Sequence, residues 1–409
     1  MKKISIILGK TVQKVSKIRG GSGSAMPGLV IEKLDPNFAK DTLKKLPFGV
    51  VVVSGTNGKT TTTKIISEML RDQGLKVFTN ETGSNFLRGV NSAILKNVKL
   101  TGKFDYDIAV LELDEAHAVK FVEQIPINYC LLLNAQRDQL DRFGEVDHVV
   151  DLLQKVAKKA KKTVVLNRDD SRIRRIEAKN KVFFGLSDEL LKKIPSEDNL
   201  NSEIEATKIP AKVILKKVSE EKSEFEFDGK DFEVEMKLKG IYNSFNAAGA
   251  LALCQEILPK VEFRDFIDSL ERIESAFGRG EIFNINGEKI ELFLVKNPSA
   301  FQISIESFAD KNTDFMIAIN DNYADGRDVS WLWDVDFEKL KNVKITSGSR
   351  AADMALRLKY DNIKVEEVEE DLKLALKKFS KMKSKKKRIF ATYTAMLELR
   401  KIISGRSIE

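Results

Sequence analysis

The sequence predicts an α/β protein in which a doubly wound parallel sheet is followed by a second α/β domain. Short apolar runs alternate with helical stretches between residues 48 and 167, the pattern of a parallel sheet with crossover helices. A second series of apolar runs begins near Gly278. The 409 residues are enough for two or three domains. We expect an N-terminal helix and glycine-rich segment at 1–48, a central domain at 49–277 and a C-terminal domain at 278–409.

The first sheet is predicted from β-branched runs bounded by turn residues. The pattern of FGVVVVSG (48–55) predicts a buried parallel strand. The following stretch, TTTKIISEMLRDQG (61–74), is predicted to form a helix that ends at Gly74. An amphipathic helix over 4–18 and the loop RGGSGSAMPG precede this strand. The further strands of the sheet are predicted at KVFTN, YDIAVLEL (106–113), INYCLLLN (127–134) and KTVVLN (162–167).

The composition changes between residues 186 and 238. This stretch is strongly charged and ends in alternating residues around FDGKDFEV, which predicts a hairpin and a small β-rich appendage inserted in the central domain. The helix YNSFNAAGALALCQEIL (242–258) should then return to the sheet. In the C-terminal domain, strands are predicted at IELFLV (290–295), DFMIAIN (314–320), NVKITSG (342–348), DNIKVEE (361–367) and KRIFATYT (387–394).

Charge and cysteine usage exclude several classes of protein. The net charge of +8 is mild for this length, and only KKFSKMKSKKKRIF (377–390) is a basic run. That run predicts either a solvated helix face or a surface attracted to an anionic membrane or nucleic acid. Cys130 and Cys254 lie in apolar runs and are predicted to be core residues. No apolar span is long enough for a transmembrane helix and no signal peptide is visible, so we expect a cytoplasmic protein.

The stretch SGTNGKTTTTK (54–64) follows a strand and precedes a helix, where a phosphate-binding loop would lie. Gly55 and Gly58 can form the turn around Thr56 and Asn57. Lys59 can reach phosphate oxygens, and Thr60 or Thr61 can hold Mg²⁺. The usual pattern wants a glycine where this chain has Val53, which a strand end tolerates. The alternative interpretation is a strand–helix turn with a solvated lysine.

Acidic residues follow the strand at 106–113. VLELDEAHA places Glu112, Asp114 and Glu115 just beyond a parallel strand, where carboxylates are positioned to hold Mg²⁺. Ordinary surface acids at a loop are the alternative.

These motifs resemble those of a known family. GTNGKT after an apolar strand resembles the ATP loop of the Mur ligases and folylpolyglutamate synthase, which form amide bonds with ATP and in which the variant loop is normal. NAQRDQLDRFGEVD (134–147) resembles their N-x-x-R-D-[HQ]-L-D pattern. RGGSGSAMPG, TGSNFLRG, RDQLDRFGE, KNPSAFQ and NDNYADGRDVSWLWDVDFE (320–338) resemble the MurT branch, the ligase-like subunits of lipid II isoglutaminyl synthase. The resemblance runs from about residue 18 to 400, with one gap.

The resemblance implies a reaction, its cofactors and its partners. Members of this family amidate the α-carboxyl of D-glutamate in the lipid II stem peptide through an acyl phosphate, with ATP and Mg²⁺. A GatD-like glutamine amidotransferase subunit supplies the ammonia. The resemblance therefore implies a heterodimer that acts on lipid II and not on nucleic acid, with contact at the cytoplasmic membrane face.

The resemblance also assigns roles to single residues of the central domain. Lys59 and Thr60 should bind ATP phosphates and Mg²⁺, and Glu112 a second Mg²⁺. Asn243 and Asn246 in YNSFNAAGA match the helix whose asparagine meets the adenine, with a helix cap by Asn243 as the alternative.

In the C-terminal domain, Arg279 in FGRGE matches an arginine that contacts the nucleotide when the domains close. Asp328 is the predicted aspartate lent to the partner's Cys–His pair, where it would orient the histidine. Asp325 is its competitor, and both could instead be turn residues. Trp331 and Trp333 are expected to anchor the loop by burial.

The chain departs from the family at one point. Many MurT proteins carry a four-cysteine zinc ribbon, but this chain has no cysteine between 131 and 253, so no zinc site of that type is expected. Two alternatives remain: a stand-alone ligase that adds an amino acid to a carboxylate, as folylpolyglutamate synthase does, and a non-catalytic nucleotide-binding scaffold.

Overall fold

The computed structural model describes residues 2–18, 25–80, 87–136, 146–192, 209–219, 222–274, 279–285 and 287–404. The chain forms two compact units, one from Met1–Gln136 and Glu145–Ile273 and another that contains Glu274–Glu409. The break between Ile273 and Glu274 lies just before the predicted boundary at Gly278. Within the described ranges, no helix is long and apolar enough to cross a bilayer.

The first unit is built on a sheet of nine strands among the residues described, in the order β2-β3-β1-β4-β5-β6-β7-β8-β9. The strands are β1 (Gly49–Ser54), β2 (Val77–Thr79), β3 (Ile108–Glu112), β4 (Ile127–Leu132), β5 (Ala160–Asn167), β6 (Lys181–Leu186), β7 (Val213–Val218), β8 (Lys222–Phe227) and β9 (Lys230–Glu235). Strands β1 to β7 pair in parallel, which confirms the predicted parallel sheet.

Helices precede and connect these strands. They are α1 (Lys2–Ile18), α2 (Ala25–Leu34), α3 (Phe38–Leu43), α4 (Lys59–Asp72), α5 (Leu87–Asn97), α6 (Glu115–Gln124), α7 (Val146–Ala157), α8 (Asp188–Leu191), α9 (Ile241–Ile257) and α10 (Phe263–Leu270). Helix α9 is rich in buried alanines and packs against α4, β6 and β7, as the predicted return to the sheet requires.

Strand β1 is central because its sequence suits burial on both faces. All six of its residues are buried, and β-branched valines fill the pleated surface between two layers of helices. The register pairs Val53 with Glu112 of β3 and Ser54 with Leu132 of β4. The carboxyl ends of these three strands therefore meet at one edge, and the candidate site lies there.

The described part of the segment 186–238 is β-rich, and its strands are continuous with the main sheet. Strand β7 pairs in parallel with β6, and β8 and β9 continue the same sheet in antiparallel pairing. Asp228 and Gly229 both have positive φ, at 48° and 72°, as a two-residue hairpin turn requires. The predicted hairpin is thus confirmed, and it extends the main sheet because its apolar face joins the same core, with Phe225 and Val234 buried.

The second unit contains a six-stranded sheet in the described residues, ordered β10-β11-β15-β12-β13-β14. Its strands are β10 (Arg279–Ile285), β11 (Glu288–Leu294), β12 (Thr313–Ala318), β13 (Val343–Ser347), β14 (Val365–Glu369) and β15 (Lys386–Ala391). Its helices are α11 (Pro298–Phe308), α12 (Ala351–Tyr360), α13 (Leu372–Lys381) and α14 (Tyr393–Ser404). All pairs are parallel except β10 with β11, which form a hairpin. Strand β10 was not predicted from the sequence.

Two helical layers cover this second sheet, because residues of β12 alternate between its faces. Phe315 and Ile317 join a core with α11, α12 and the 3₁₀ turn Ser330–Asp334. Met316 and Ala318 join the opposite core, formed with α13 and α14.

Candidate active site

The loop between β1 and α4 has the backbone of a phosphate cradle. Gly55 and Gly58 adopt φ values of 127° and 90°, which side chains strongly disfavour. A Cβ on Gly55 would lie 2.9 Å from the carbonyl oxygen of Asn134, so the strand leaves no room for one. The turn leads the chain into the first turn of α4, and the N–H groups at the start of a helix favour anions.

Lys59 opens α4 and is only 8% exposed. Its ammonium donates to the carbonyl oxygens of Gly55 at 2.7 Å and Thr56 at 3.4 Å. The carboxylates of Asp114 and Glu115 lie 3.3 Å and 3.9 Å from the same nitrogen. A buried cation needs such partners, and they hold Lys59 over the loop where a phosphate would sit.

Thr60 and Glu112 meet directly. The Thr60 hydroxyl donates to Glu112 Oε1 at 2.9 Å, which brings a hydroxyl and a carboxylate together beside the loop. The Thr61 hydroxyl is buried and makes no hydrogen bond within the described ranges, so Thr60 is the threonine that faces Glu112. These are the oxygen donors that Mg²⁺ prefers, and the pair fits the predicted metal role.

No group of three or more acidic, histidine or cysteine side chains converges as a metal site in the described residues.

Asn80, which the sequence reading did not assign, braces Glu112. Its side-chain amide donates to the carbonyl oxygen of Glu112 at 2.7 Å and accepts from the Glu112 N–H at 3.0 Å. Asn80 is 4% exposed and follows β2, next to β3 in the sheet. A polar residue directly after a buried strand was the available signal.

Asn134 and Gln136 brace the loop in the same way from the end of β4. Asn134 Oδ1 accepts from the Asn57 N–H at 2.8 Å, and its amide donates to the Asn57 carbonyl at 3.0 Å. The Asn57 amide donates to Gln136 Oε1 at 2.8 Å. The Thr56 N–H donates to the Asn134 carbonyl at 3.0 Å. These hydrogen bonds fix the loop against the end of β4. The adjoining RDQLDRFGE lies outside the described residues.

The two asparagines of α9 differ in position. Asn246 lies against the loop, since a Cβ on Gly58 would come within 2.5 Å of Asn246 Oδ1. Asn243 donates instead to the carbonyl of Lys239 at 2.7 Å, just before the helix. It makes no N-terminal cap, because that position is Gly240. Arg279 is the first residue of β10, and its side chain lies outside the described part of the chain.

In the second unit the two competing aspartates have opposite surroundings. Asp325 is 7% exposed, and its carboxylate accepts from the N–H groups of Asn322 and Thr394 and from the Thr394 hydroxyl. It fixes the loop and the start of α14. Asp328 is exposed, and the Ser330 N–H that donates to it at 2.8 Å holds the pKa of its carboxyl below the ordinary range. Asp328 is thus the aspartate presented to solvent as an anion.

The expectation that both tryptophans are buried was wrong for one of them. Trp331 is half-buried and packs near Phe301 in the core of the second unit. Trp333 is 51% exposed and rests edge-on against Tyr360, which is itself 68% exposed, with Arg357 over its ring. Trp333 of this exposed aromatic pair lies on the same segment as Asp328, and Tyr360 is the last residue of α12.

Comparison with known proteins places these features in a family. The model of the Mur ligase middle domain matches residues 53–254, and that of the MurT ligase C-terminal domain matches residues 294–396. The chain is 31% identical to the lipid II isoglutaminyl synthase (glutamine-hydrolyzing) subunit MurT of Streptococcus pneumoniae, covering 95% of this chain and 94% of the relative. It is 27% identical to the subunit of that name from Staphylococcus aureus, covering 88% of each chain.

Solved structures agree on the fold. A pseudomurein peptide ligase type C from Methanothermus fervidus matches with a TM-score of 0.69 at 18% identity, covering 89% of this chain and 80% of that one. MurF ligase from Thermotoga maritima, in complex with ADP, matches with a TM-score of 0.67 at 19% identity, covering 93% and 85%.

A parallel sheet whose β1–α4 loop orders a buried lysine beside a threonine–glutamate pair defines an ATP-dependent ligase of the Mur type. The second unit identifies the branch of the Mur ligases, because the model that matches it describes the MurT ligase C-terminal domain. The chain belongs to the MurT family.

Proposed function

We propose that this chain is the ligase subunit that amidates the α-carboxyl of D-glutamate in the stem peptide of lipid II, giving D-isoglutamine. The observation that carries the proposal is the match over 95% of the chain to a relative named as the MurT subunit of that synthase. A substrate that is attached to lipid further implies that the chain works at the inner face of the membrane.

The site supports activation of a carboxylate. A carboxylate is a poor electrophile, and transfer of the γ-phosphoryl group from ATP turns it into an acyl phosphate with a good leaving group. Lys59 and the N–H groups of the loop would stabilise charge on the transferring phosphoryl group. Thr60 and Glu112 would hold Mg²⁺, which neutralises phosphate charge when bound. Asn246, beside Gly58, would contact the nucleotide.

Ammonia attacks the acyl phosphate in the second step, and phosphate leaves. The chain has no thiol suited to releasing that ammonia from glutamine, since its two cysteines are both buried and burial raises the pKa of each thiol. Where glutamine is the source of the ammonia, a separate, GatD-like glutaminase subunit would supply the chemistry that releases it. The exposed carboxylate of Asp328 would orient and charge-stabilise the histidine of that partner's Cys–His pair.

The geometry supports Asp328 over Asp325 for this role. Asp325 already accepts three hydrogen bonds from Asn322 and Thr394 within its own unit, whereas Asp328 is held by its near neighbour Ser330 and is open to solvent. The exposed Trp333 and Tyr360 would add an aromatic anchor to the same partner surface.

One experiment separates this proposal from a stand-alone ligase. The purified chain is given lipid II, ATP and Mg²⁺ with either ammonium chloride or a mixture of amino acids, and phosphate release is followed. The proposal predicts release with ammonium alone and none above background with amino acids. Release that depends on an amino acid would establish the stand-alone ligase, and the absence of release under every condition would support the scaffold.

A further inference from the structure

We propose that the outer side of α13 and the loop that follows it form a docking surface for an anionic phospholipid bilayer. The surface consists of five exposed lysines, called here the lysine face: Lys373, Lys377, Lys381, Lys383 and Lys385. This inference rests on the proposed function, because a lipid-linked substrate is what brings the protein to a bilayer.

Helical spacing aligns the lysine face. Lys373, Lys377 and Lys381 follow one another at intervals of four residues, so they lie on one side of α13 over about 12 Å. Lys383 and Lys385 extend the row into the loop before β15. The opposite side of the helix carries Leu372, Leu376 and Phe379 into the core, which fixes the lysines outward.

The five charges are not compensated by ion pairs in the described parts of the chain, although the exposed acidic residues Glu370 and Asp371 directly precede α13. None of these lysines makes an ion pair there, and no acidic residue occurs within α13. The carboxylates of the neighbouring β14 are already engaged, since Glu367 and Glu369 both contact Lys378 and Glu366 contacts Lys344. Like charges four residues apart weaken a helix, so helix stability does not explain the pattern.

The chemistry of the surface favours a membrane over nucleic acid. Single-stranded nucleic acid is bound by aromatic platforms among basic residues, but the aromatic residue of α13, Phe379, is buried. Leu374, in contrast, is 46% exposed between the lysines and offers an apolar contact at the headgroup level. Clusters of four to eight basic residues on a helix are typical of surfaces that bind anionic lipid.

The position of the lysine face is compatible with partner binding. Helix α13 covers the side of the second sheet whose core contains Met316 and Ala318, whereas the turn Ser330–Asp334 and α12 cover the other side. The segment that carries Asp328 and Trp333 therefore belongs to a different layer. A bilayer on the lysine face leaves that segment open to the glutaminase subunit.

The test is co-sedimentation of the full-length chain, purified with its partner subunit, with vesicles of phosphatidylcholine that contain or lack phosphatidylglycerol. The triple variant Lys373→Gln, Lys377→Gln, Lys381→Gln removes three charges from the face. A matched variant, Lys155→Gln, Lys159→Gln, Lys161→Gln, removes three exposed lysines from the first unit. Each lysine near an anionic surface contributes about fivefold to binding, so the first variant should bind about 100-fold more weakly.

The proposal predicts binding that requires phosphatidylglycerol, weakens with salt, is lost in the first variant and is retained in the matched one. Failure to bind phosphatidylglycerol vesicles would overturn it, as would an equal loss in both variants, which would mean attraction by net charge alone. Binding to a short single-stranded RNA is measured for the same proteins. If the first variant lost RNA binding but still bound the vesicles as wild type does, the lysine face would be assigned to nucleic acid instead. Amidation of detergent-solubilised lipid II is measured in parallel, and its failure would count against the proposed function and not against the lysine face.

Discussion

The hydroxyl of Thr60 donates a 2.9 Å hydrogen bond to Glu112 Oε1, joining the first turn of α4 to the end of β3. The two residues are 52 positions apart in the sequence and meet because β1 and β3 are neighbours in the sheet. Asn80 holds the Glu112 backbone from the next strand. The oxygen pair is therefore fixed by three strand ends, and under the proposed function Thr60 and Glu112 would hold Mg²⁺.

Replacement of Glu112 by Gln should raise the Mg²⁺ concentration needed for half-maximal amidation and lower kcat by about 100-fold. The amide still accepts from Thr60, so the fold is kept while the charge that attracts the cation is lost. Activity is measured as a function of Mg²⁺, and chelation should abolish it in both proteins. Glu123→Gln, on an exposed position of α6, is the control and should behave as wild type. An unchanged Mg²⁺ dependence in Glu112→Gln would remove this residue from the metal site.

Replacement of Lys59 by Met should reduce ammonia-dependent amidation by about 100- to 1,000-fold. The apolar side chain can occupy the same space, but it cannot stabilise charge on the phosphoryl group. Lys76→Met removes an exposed lysine of the same unit and should have little effect. If Lys59→Met retained activity within about threefold of wild type, the lysine would have only the structural contacts to Gly55 and Thr56.

Asp328→Asn should leave amidation with free ammonia intact and abolish amidation with glutamine, because only the partner's glutaminase step needs this carboxylate. The pKa of the Asp328 carboxyl is held low by Ser330, so the wild-type group is charged throughout the neutral range. Both reactions are followed in the assembled heterodimer.

Asp325→Ala provides the contrast. It removes the acceptor for the Thr394 N–H at the start of α14 and should lower stability by about 1–2 kcal/mol. Both reactions should then fall together as the folded fraction falls. Selective loss of the glutamine reaction in a folded Asp325 variant, with Asp328→Asn unaffected, would reverse the assignment.

Asp169 predicts a pH dependence of stability in the first unit. Burial raises the pKa of its carboxyl to about 6. The hydrogen bond from the Leu186 N–H and the charges of Arg168 and Arg174 lower the pKa, but the effect of burial is larger. The unfolded carboxyl releases its proton near pH 4, so between about pH 4 and 6 the folded state binds more protons. Stability should therefore fall as pH rises through this window, by at most about 3 kcal/mol.

Asp169→Asn should show a smaller slope, and some slope should remain because burial also raises the pKa of the neighbouring Asp170 carboxyl. Urea unfolding, followed by circular dichroism at several pH values, measures how the stability of the first unit depends on pH. The two tryptophans, Trp331 and Trp333, both lie in the second unit, so their fluorescence provides an internal control that should not change. The same slope in variant and wild type would contradict the assigned pKa.

The sequence predicted the fold where hydrophobic runs and turn residues agree. FGVVVVSG could only be a buried strand, and Gly74 ends α4 with φ of 84° as predicted. Strand β10 was missed because RGEIFNI alternates weakly and pairs only at the sheet edge. Strand β14 begins at Val365, later than predicted, because Asn362 adopts a positive φ in the preceding turn.

The candidate site was predictable only in part. Lys59, Thr60 and Glu112 stand in recognisable motifs, but the bracing by Asn80 and Asn134 depends on which strands become neighbours, and a local pattern does not encode that order. The choice between Asp325 and Asp328 likewise depends on burial against Thr394, 69 residues further along the chain.

The central claim is that this chain converts a carboxylate of lipid II into an amide. Its most direct test is co-expression with a GatD-like glutaminase subunit, followed by mass analysis of the extracted lipid II, with Lys59→Met co-expressed as the inactive control. Conversion of a carboxylic acid to a primary amide replaces OH by NH₂, so we predict a mass decrease of about one dalton with the wild-type pair and none with the variant. An unchanged lipid II mass with the wild-type pair, both subunits being present and folded, would contradict the account.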